Sequence, residues 1–292
     1  MGELPIGVMY RCGNRPENLA PYARLVERLG YDELWLMEDC FYVGSLAAAA
    51  VAATVTQRLK IGIGIMPAAL RNPVLAAMEL AGLCRMFPDR ILPGFGHGVP
   101  AWTHQVGTEH PSPLAVLGET VTAVRSLLAG EMVTVSGQYA QLTEVVLEYP
   151  PAVPPPIFAG VRGARSLRLS GAVADGTILA ECVSPEQVRW ARGMIDRGRR
   201  LAGRTDGHRL TVYAHLDYDV ARINARREIA ERLAYDSLTP ADAHLADEVA
   251  ALLLAAPGAA LAEALPEEYL DRFAVSGTAQ QCAAAVTRLW QI

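Results

Sequence analysis

The chain has 292 residues, of which 51% are hydrophobic and 20% charged, so it can bury the core of one large domain. Its net charge of −5 excludes the basic surface that nucleic-acid binding requires, and we expect no nucleic-acid partner. The first residues show no secretory pattern, and the apolar run 47–53 is too short to span a bilayer, so we expect a cytoplasmic protein that does not enter the membrane.

The first half of the chain alternates short apolar runs with amphipathic segments. The runs predict strands at residues 5–10, 34–37, 60–66 and 91–96. Between them, helical spacing predicts a helix that ends at Gly30, a helix at 46–56, and a helix that Asn72 caps with Pro73 in its first turn. This order is typical of a parallel sheet covered by helices.

An excursion interrupts the alternation after the fourth strand and its helix, which is predicted at residues 113–129. Two extended pieces, 132–135 and 139–147, flank Ser136 and Gly137 and predict a hairpin. The proline-rich stretch 150–156 then forms a stiff connection.

The alternation resumes in the second half. Strands are predicted at 157–161, 177–181, 210–216 and 272–275, with a mostly helical segment at 221–269 before the last of them. Ser184 with Pro185 starts one helix, and Thr278 with Gln281 forms a capping box for the final helix. We therefore predict an α/β fold, a single (β/α)8 TIM barrel over residues 1–292 with the inserted hairpin and the helical segment; a doubly wound open sheet is the alternative.

In such a barrel, reactive groups lie at the carboxyl ends of the strands. Glu38, Asp39 and Cys40 follow the second strand, where one carboxylate can point inward and a helix-capping role is the alternative. His97 follows the fourth strand between two glycines and has a side chain that titrates near neutral pH. Alternate glycines in the third strand leave room for a flat ring or for crowded neighbours.

The turn after the fifth strand has the features of an anion site. Gly160 and Gly163 open a helix, with Arg162 and Arg165 beside them, and free backbone N–H groups at a helix start favour a phosphate. The dinucleotide pattern GxGxxG, the phosphate loop GxxxxGK[ST], the metal motif HExxH and paired CxxC motifs are all missing, so we predict no Rossmann NAD site and no metal site. The five scattered cysteines are expected to be reduced thiols.

Several segments together resemble the luciferase-like flavin and deazaflavin oxidoreductases, in particular the branch that uses coenzyme F420. The segments that carry the resemblance are Gly30-Tyr31-Asp32-Glu33-Leu34-Trp35, Gly64-Ile65-Met66-Pro67 with Arg71-Asn72-Pro73, Gly94-Phe95-Gly96-His97-Gly98, Pro156-Ile157-Phe158-Ala159-Gly160, Ala174-Asp175-Gly176-Thr177-Ile178 and Phe273-Ala274-Val275-Ser276-Gly277-Thr278. They span nearly the whole chain.

The resemblance implies a coenzyme ring over the strand ends, a non-prolyl cis peptide at Gly64-Ile65 behind it, and a phosphate at the fifth-strand turn. Asp39 and His97 are predicted as catalytic residues. The predicted cofactor-binding residues are Glu38, Asp39, Gly64, Ile65, Met66, Gly96, His97, Gly98, Ala159, Gly160, Val161, Arg162, Gly163 and Ala164, and the predicted substrate residues are Tyr10, Cys40 and Glu181.

This chain departs from two kinds of family enzyme at characteristic positions, and these differences exclude two activities from the expectation. Sugar-phosphate dehydrogenases that use F420 carry His and Glu where this chain has Cys40 and Val99, and the methylene-tetrahydromethanopterin reductases carry a first-strand Glu where it has Met9 and Tyr10. The resemblance therefore implies hydride transfer between F420 and another small organic substrate, with reduction of a C=C or C=N bond as the expected direction.

Two further functions remain open. One is an FMN-dependent monooxygenase served by a partner reductase, and the other is a barrel that binds a flavin without turnover. A homodimer is expected in each case, because the Ala-rich region 241–264 offers apolar surface and family members commonly form dimers.

Overall fold

The computed structural model describes residues 5–180, 182–218, 222–235 and 238–291. The chain divides into two compact units. The first comprises the described residues up to Val161 with Leu169–Ile178 and Arg204–Arg209, and the second comprises Arg162–Arg168, Leu179–Gly203 and the described residues from Leu210 onwards. None of the helices in these ranges is long and apolar enough to cross a bilayer.

A parallel sheet dominates the fold. The strands are β1 (Gly7–Tyr10), β2 (Glu33–Leu36), β3 (Lys60–Pro67), β4 (Ile91–Gly96), β5 (Val133–Ser136), β6 (Gln141–Val145), β7 (Phe158–Gly160), β8 (Gly176–Leu179), β9 (Arg209–Val212), β10 (Leu216–Asp217) and β11 (Val275–Ser276). Seven of them are neighbours in the order β1-β2-β3-β4-β7-β8-β9. Tyr10 lies opposite Leu36, and Gly96 lies opposite Gly160, in parallel register. The predicted α/β class with a parallel sheet is therefore confirmed.

Helices follow most of these strands. They are α1 (Leu19–Arg28), α2 (Ser45–Thr54), α3 (Pro73–Met86), α4 (Pro100–Gln105), α5 (Pro113–Leu128), α6 (Ala164–Val173), α7 (Pro185–Leu201), α8 (Ile223–Tyr235), α9 (Ala246–Ala255), α10 (Ala260–Ala264), α11 (Glu267–Phe273) and α12 (Ala279–Trp290). The side chains of Asn72 and Ser184 cap α3 and α7, and Thr278 with Gln281 forms the capping box of α12. These three predicted helix starts are confirmed.

Buried apolar side chains and small residues alternate between neighbouring strands. Every residue of β2 and of β4 is buried, as expected for strands covered on both faces. A Cβ at Gly62 would lie 2.3 Å from the ring of Trp35, which is 2% exposed. Trp35 in turn packs edge-on against Phe158, with ring centroids 5.6 Å apart. Gly62 is thus required by the indole of the neighbouring strand, and this glycine relieves crowding inside the sheet.

The pieces around Ser136 form the antiparallel pair β5 and β6. Its turn is attached to α5 through the carboxylate of Glu119, which accepts backbone N–H groups of Gln138, Tyr139 and Ala140 at 2.8 to 2.9 Å. A side chain thus satisfies three turn donors that have no partner in a strand ladder.

The last two predicted strands need correction. The predicted strand 210–216 is two strands, β9 and β10, and the predicted strand 272–275 begins only at Val275. Arg272 and Phe273 belong to α11 instead, because Tyr269, Leu270 and Phe273 have helical spacing and are all buried. β10 and β11 pair in parallel as a separate two-stranded sheet in the second unit.

Alanine at Gly198 is expected to destabilise the second unit. Its Cβ would lie 1.9 Å from the backbone oxygen of Arg168, so α7 must move away from α6, and overpacking of this kind costs about 1–3 kcal/mol. Gly193→Ala in the same helix is the matched control, because no atom lies within 4 Å of the added Cβ and alanine stabilises a helix by about 1 kcal/mol. Urea unfolding followed by circular dichroism measures both, and equal effects of the two variants would refute the tight contact.

Candidate functional site

The carboxyl ends of parallel strands lie along one edge of the sheet. In the first unit this edge carries predicted site residues that lie in the last residues of β1, β3, β4 and β7 or in the segments directly after β2, β4 and β7. These residues are Tyr10, Glu38, Asp39, Cys40, Gly64, Ile65, Met66, Gly96, His97, Gly98, Ala159, Gly160 and Val161.

Ile65 forms an apolar ledge over three glycines. A Cβ at Gly160 would lie 2.5 Å from Ile65 Cγ2, one at Gly96 2.5 Å from Ile65 Cδ1, and one at Gly94 3.4 Å from Cγ2. The peptide bond between Gly64 and Ile65 is cis, which confirms the geometry that the family resemblance implies. Ile65 is only partly buried, whereas neighbouring Met66 is fully buried. The side chain of Ile65 therefore fills the space that side chains at Gly96 and Gly160 would otherwise occupy.

Asp39 lies beside this edge and is partly exposed. Its Oδ2 accepts a hydrogen bond from the thiol of Cys12, with 3.1 Å between sulfur and oxygen. Within the described part of the chain, no hydrogen bond reaches its other carboxylate oxygen. Asp39 therefore offers one acceptor oxygen to a ligand, as its predicted cofactor-binding and catalytic roles would require.

Both carboxylate oxygens of the neighbouring residue, Glu38, accept hydrogen bonds from other groups of the protein. It is buried, and its Oε2 accepts the backbone N–H of Ser45 at 2.7 Å and the hydroxyl of Ser45 at 2.5 Å. The guanidinium of Arg71 donates to both of its oxygens, with 3.0 Å between Nη2 and Oε2. Glu38 thus holds the start of α2, which is the helix-capping alternative that the sequence left open.

His97 connects the loop after β4 to the start of α5. Its Nδ1 lies 3.2 Å from the carbonyl oxygen of Pro113. Because a carbonyl only accepts, Nδ1 carries the proton, and Nε2 of the neutral ring is the acceptor. Burial lowers the pKa of His97 below its usual value, although the bond to Pro113 opposes the shift. The ring is therefore neutral at pH 7.

We expect the imidazole of His97 to titrate with a midpoint below 6.5. Because its pKa is lowered in the folded state, the unfolded chain takes up this proton first as the pH falls. The stabilising contribution is present above about pH 6.5 and is lost on acidification through the folded-state pKa. Imidazole NMR, with His97→Gln to assign the resonance, measures the midpoint, and a value at or above 6.5 would contradict the burial of a neutral ring.

Tyr10 and Cys40 lie near the strand ends. The hydroxyl of Tyr10 is hydrogen-bonded within the protein, and the thiol of Cys40 is protonated. The hydroxyl of Tyr10 donates to the carbonyl oxygen of Arg15 at 2.6 Å, and its ring packs on Tyr22 with centroids 5.1 Å apart. Burial, together with the charges of Glu38 and Asp39, raises the pKa of the Cys40 thiol. Cys40 is therefore a protonated thiol at neutral pH, suited to contact and not to nucleophilic attack.

The predicted anion-site residues belong to two different units. Ala159, Gly160 and Val161 lie in the first, and the backbone N–H of Val161 donates to the carbonyl of Ile178 at 3.3 Å. Arg162, Gly163 and Ala164 lie in the second, and Arg165 is exposed there at the start of α6. Glu181, a predicted substrate residue, lies outside the described residues.

Two residues of the site were missed from the sequence. Cys12 lies two residues after β1, so the rule that reactive groups follow strand ends could have found it. Arg71 is 33 positions from its partner Glu38, and no local pattern signals that pairing. No group of three or more His, Cys, Asp or Glu side chains in the described ranges could hold a metal ion.

Known proteins resemble this chain in sequence over most of its length. The model of the luciferase-like monooxygenase family matches residues 5–291. The chain is 27% identical to the 5,10-methylenetetrahydromethanopterin reductase of Methanolobus tindarius over 94% of this chain and 87% of the relative. It is 26% identical to the F420-dependent glucose-6-phosphate dehydrogenase of Microbacterium testaceum (strain StLB037) over 75% of this chain and 71% of the relative.

A solved structure shows the same fold. It is the coenzyme F420 dependent tetrahydromethanopterin reductase from Methanopyrus kandleri, with a TM-score of 0.79 and 19% sequence identity. The match covers 99% of this chain and 91% of that one.

Proposed function

Because the chain belongs to the luciferase-like monooxygenase family, we propose that it is an F420-dependent oxidoreductase acting on a small organic substrate. The observation that carries the proposal is the ledge of Ile65 over Gly94, Gly96 and Gly160. A flat tricyclic ring needs an apolar support from which side chains are absent on the neighbouring strands, and these glycines provide it.

The coenzyme supplies hydride chemistry when it is bound, and the chain supplies binding and orientation. In this proposal Ile65 backs the ring, with Gly160 at the end of β7 beside it in the first unit.

Asp39 and His97 are the proposed proton-handling groups. The carboxylate of Asp39 keeps one oxygen without a protein hydrogen bond among the described residues. The neutral ring of His97 is oriented by the hydrogen bond between its Nδ1 and the carbonyl oxygen of Pro113. One anionic acceptor and one neutral imidazole can hold a polar coenzyme edge and move a proton at neutral pH.

Relatives support the coenzyme more strongly than the substrate. F420 appears in the names of the Microbacterium testaceum dehydrogenase and of the Methanopyrus kandleri reductase. Their substrates are not proposed for this chain, because the family resemblance implies other residues in such enzymes at the positions of Cys40, Val99, Met9 and Tyr10. We propose reduction of an activated C=C or C=N bond instead.

The test is titration of the purified chain with oxidised F420 and, in parallel, with FMN, following tryptophan and coenzyme fluorescence at one ionic strength. Reduced F420 is then mixed anaerobically with a panel of enones and imines, and the absorbance of oxidised F420 is recorded. Preference for F420 with substrate-dependent oxidation supports the proposal. Preference for FMN with an oxygen requirement favours the monooxygenase, binding without turnover favours the non-catalytic barrel, and failure to bind either coenzyme refutes all three.

The architecture and assembly are proposed with the function. We propose one (β/α)8 barrel domain that forms homodimers. Exposed apolar side chains support self-association, among them Leu75, Met78 and Met86 on α3 and Leu254 on α9. Light scattering across a concentration series tests the dimer, and a monomer at all concentrations would exclude it.

A further inference from the structure

The loop after β1 holds one thiol in a fixed place. The backbone N–H of Asn14 donates to the carbonyl of Arg11 at 3.0 Å, which closes a turn with Cys12 in its middle. The hydroxyl of Tyr10 donates to the carbonyl of Arg15 at 2.6 Å and ties the far end of the loop to β1. Cys12 is therefore held by backbone and side-chain bonds on both sides.

Asp39 is held on the other side of the contact. It lies three residues after the last residue of β2, and its carbonyl oxygen accepts the backbone N–H of Tyr42 at 2.9 Å. Since β1 and β2 pair in parallel, with Tyr10 opposite Leu36, the two following loops emerge side by side. The 3.1 Å contact between Cys12 Sγ and Asp39 Oδ2 follows from this register.

The thiol in this contact stays protonated. Burial, followed by the hydrogen bond and the charge of Asp39, raises the pKa of Cys12 to about 11. At pH 8 the thiolate is then on the order of one part in a thousand. Such a cysteine is a poor nucleophile and a poor metal ligand, but its S–H remains a donor over the whole physiological range.

We propose that Cys12 is a positioning residue that holds the carboxylate of Asp39 through its S–H group and so presents the other carboxylate oxygen to the bound coenzyme. The role of Asp39 toward the coenzyme rests on the proposed function. The pairing of Cys12 with Asp39 does not, because it is a direct hydrogen bond between two side chains of the first unit.

The first experiment measures the pairing without any coenzyme. Alkylation of Cys12 by iodoacetamide is followed between pH 7 and 10 by peptide mass spectrometry in the whole 292-residue chain. Asp39→Asn removes the charge, so we expect the Cys12 rate at pH 8 to rise about tenfold, the equivalent of about one pKa unit. Glu17→Gln, an exposed carboxylate on the same loop, is the matched control and should leave the rate unchanged. An unchanged rate in Asp39→Asn overturns the pairing.

The second experiment measures its consequence for F420 binding by fluorescence titration. Cys12→Ala is expected to weaken F420 binding about three- to tenfold, whereas Cys12→Ser, which keeps a donor, restores most of the affinity. Equal affinity of Cys12→Ala and the unaltered chain overturns the positioning role, as does equal weakening by both variants. If the unaltered chain does not bind F420, the proposed function fails, and the alkylation rates still decide whether Cys12 holds Asp39.

Discussion

Replacing Arg209 by methionine is expected to lower the free energy of unfolding by about 3–5 kcal/mol. Arg209 donates Nη1 and Nη2 to the two carboxylate oxygens of Glu33 at 2.6 and 2.7 Å. Glu33 is 1% exposed, and its Oε2 also accepts the indole N–H of Trp35 at 2.9 Å. If the guanidinium is removed, the buried carboxylate of Glu33 retains one hydrogen-bond donor among these groups, the indole N–H of Trp35. The cost arises from this uncompensated charge.

Two further variants separate the buried charge from the loss of a surface arginine. The double variant Glu33→Gln/Arg209→Met removes the charge together with its partner, so most of the stability should return. Arg15→Met breaks the ion pair with Glu17, whose two side chains are 82% and 69% exposed, and should cost less than about 1 kcal/mol. Urea unfolding at pH 7 followed by circular dichroism gives the three values, and a double variant as unstable as Arg209→Met would contradict the explanation.

The position of this pair bears on the site. Glu33 is the first residue of β2 and lies opposite Gly7 and Lys60, at the amino ends of their strands. The ledge of Ile65 and the Asp39 carboxylate lie at the carboxyl ends. Stability and ligand binding are usually served by opposite ends of such strands, so Arg209→Met should reduce stability without changing the affinity of the folded chain for F420.

Gly160→Ala is expected to weaken F420 binding about 100-fold, the equivalent of about 2.8 kcal/mol. The new Cβ would lie 2.5 Å from Ile65 Cγ2. Gly94 and Gly96 lie directly beneath Ile65 and leave no room on that side. The side chain of Ile65 must therefore move toward the place where we propose the ring. The loss should appear in the fluorescence titration while circular dichroism shows a folded chain.

The loss of F420 affinity in Gly160→Ala should depend on one methyl group of Ile65, Cγ2. Ile65→Ala removes Cγ2, so Gly160→Ala should cause little additional loss in that background. Ile65→Val keeps Cγ2 and should not rescue, although it differs from isoleucine by a single carbon. Gly82→Ala on α3 is the control, because no atom lies within 4 Å of its added Cβ. Equal losses in the isoleucine and alanine backgrounds would show that the contact with Ile65 does not cause the effect.

Several secondary-structure elements could be predicted from residues that are close together in the sequence. The starts of α3, α7 and α12 were predictable because a cap involves side chains within three positions of the backbone group that they satisfy. The last strand was less predictable, since a mostly apolar run as short as Arg272 to Val275 fits a strand or the last turn of a helix. There the buried side of α11, with Tyr269 and Phe273, decided in favour of the helix.

The sequence by itself determined the order of most strands and helices, and hence which residues lie near most strand ends, because apolar periodicity involves residues close together in the sequence. Only the tertiary structure decided what those residues do. Glu38 and Asp39 are neighbours in sequence, yet one is bound by Arg71, 33 positions away, and the other by Cys12, 27 positions away. Such partners are selected by the register of parallel strands, which brings distant loops together, and no local pattern of residues encodes that register.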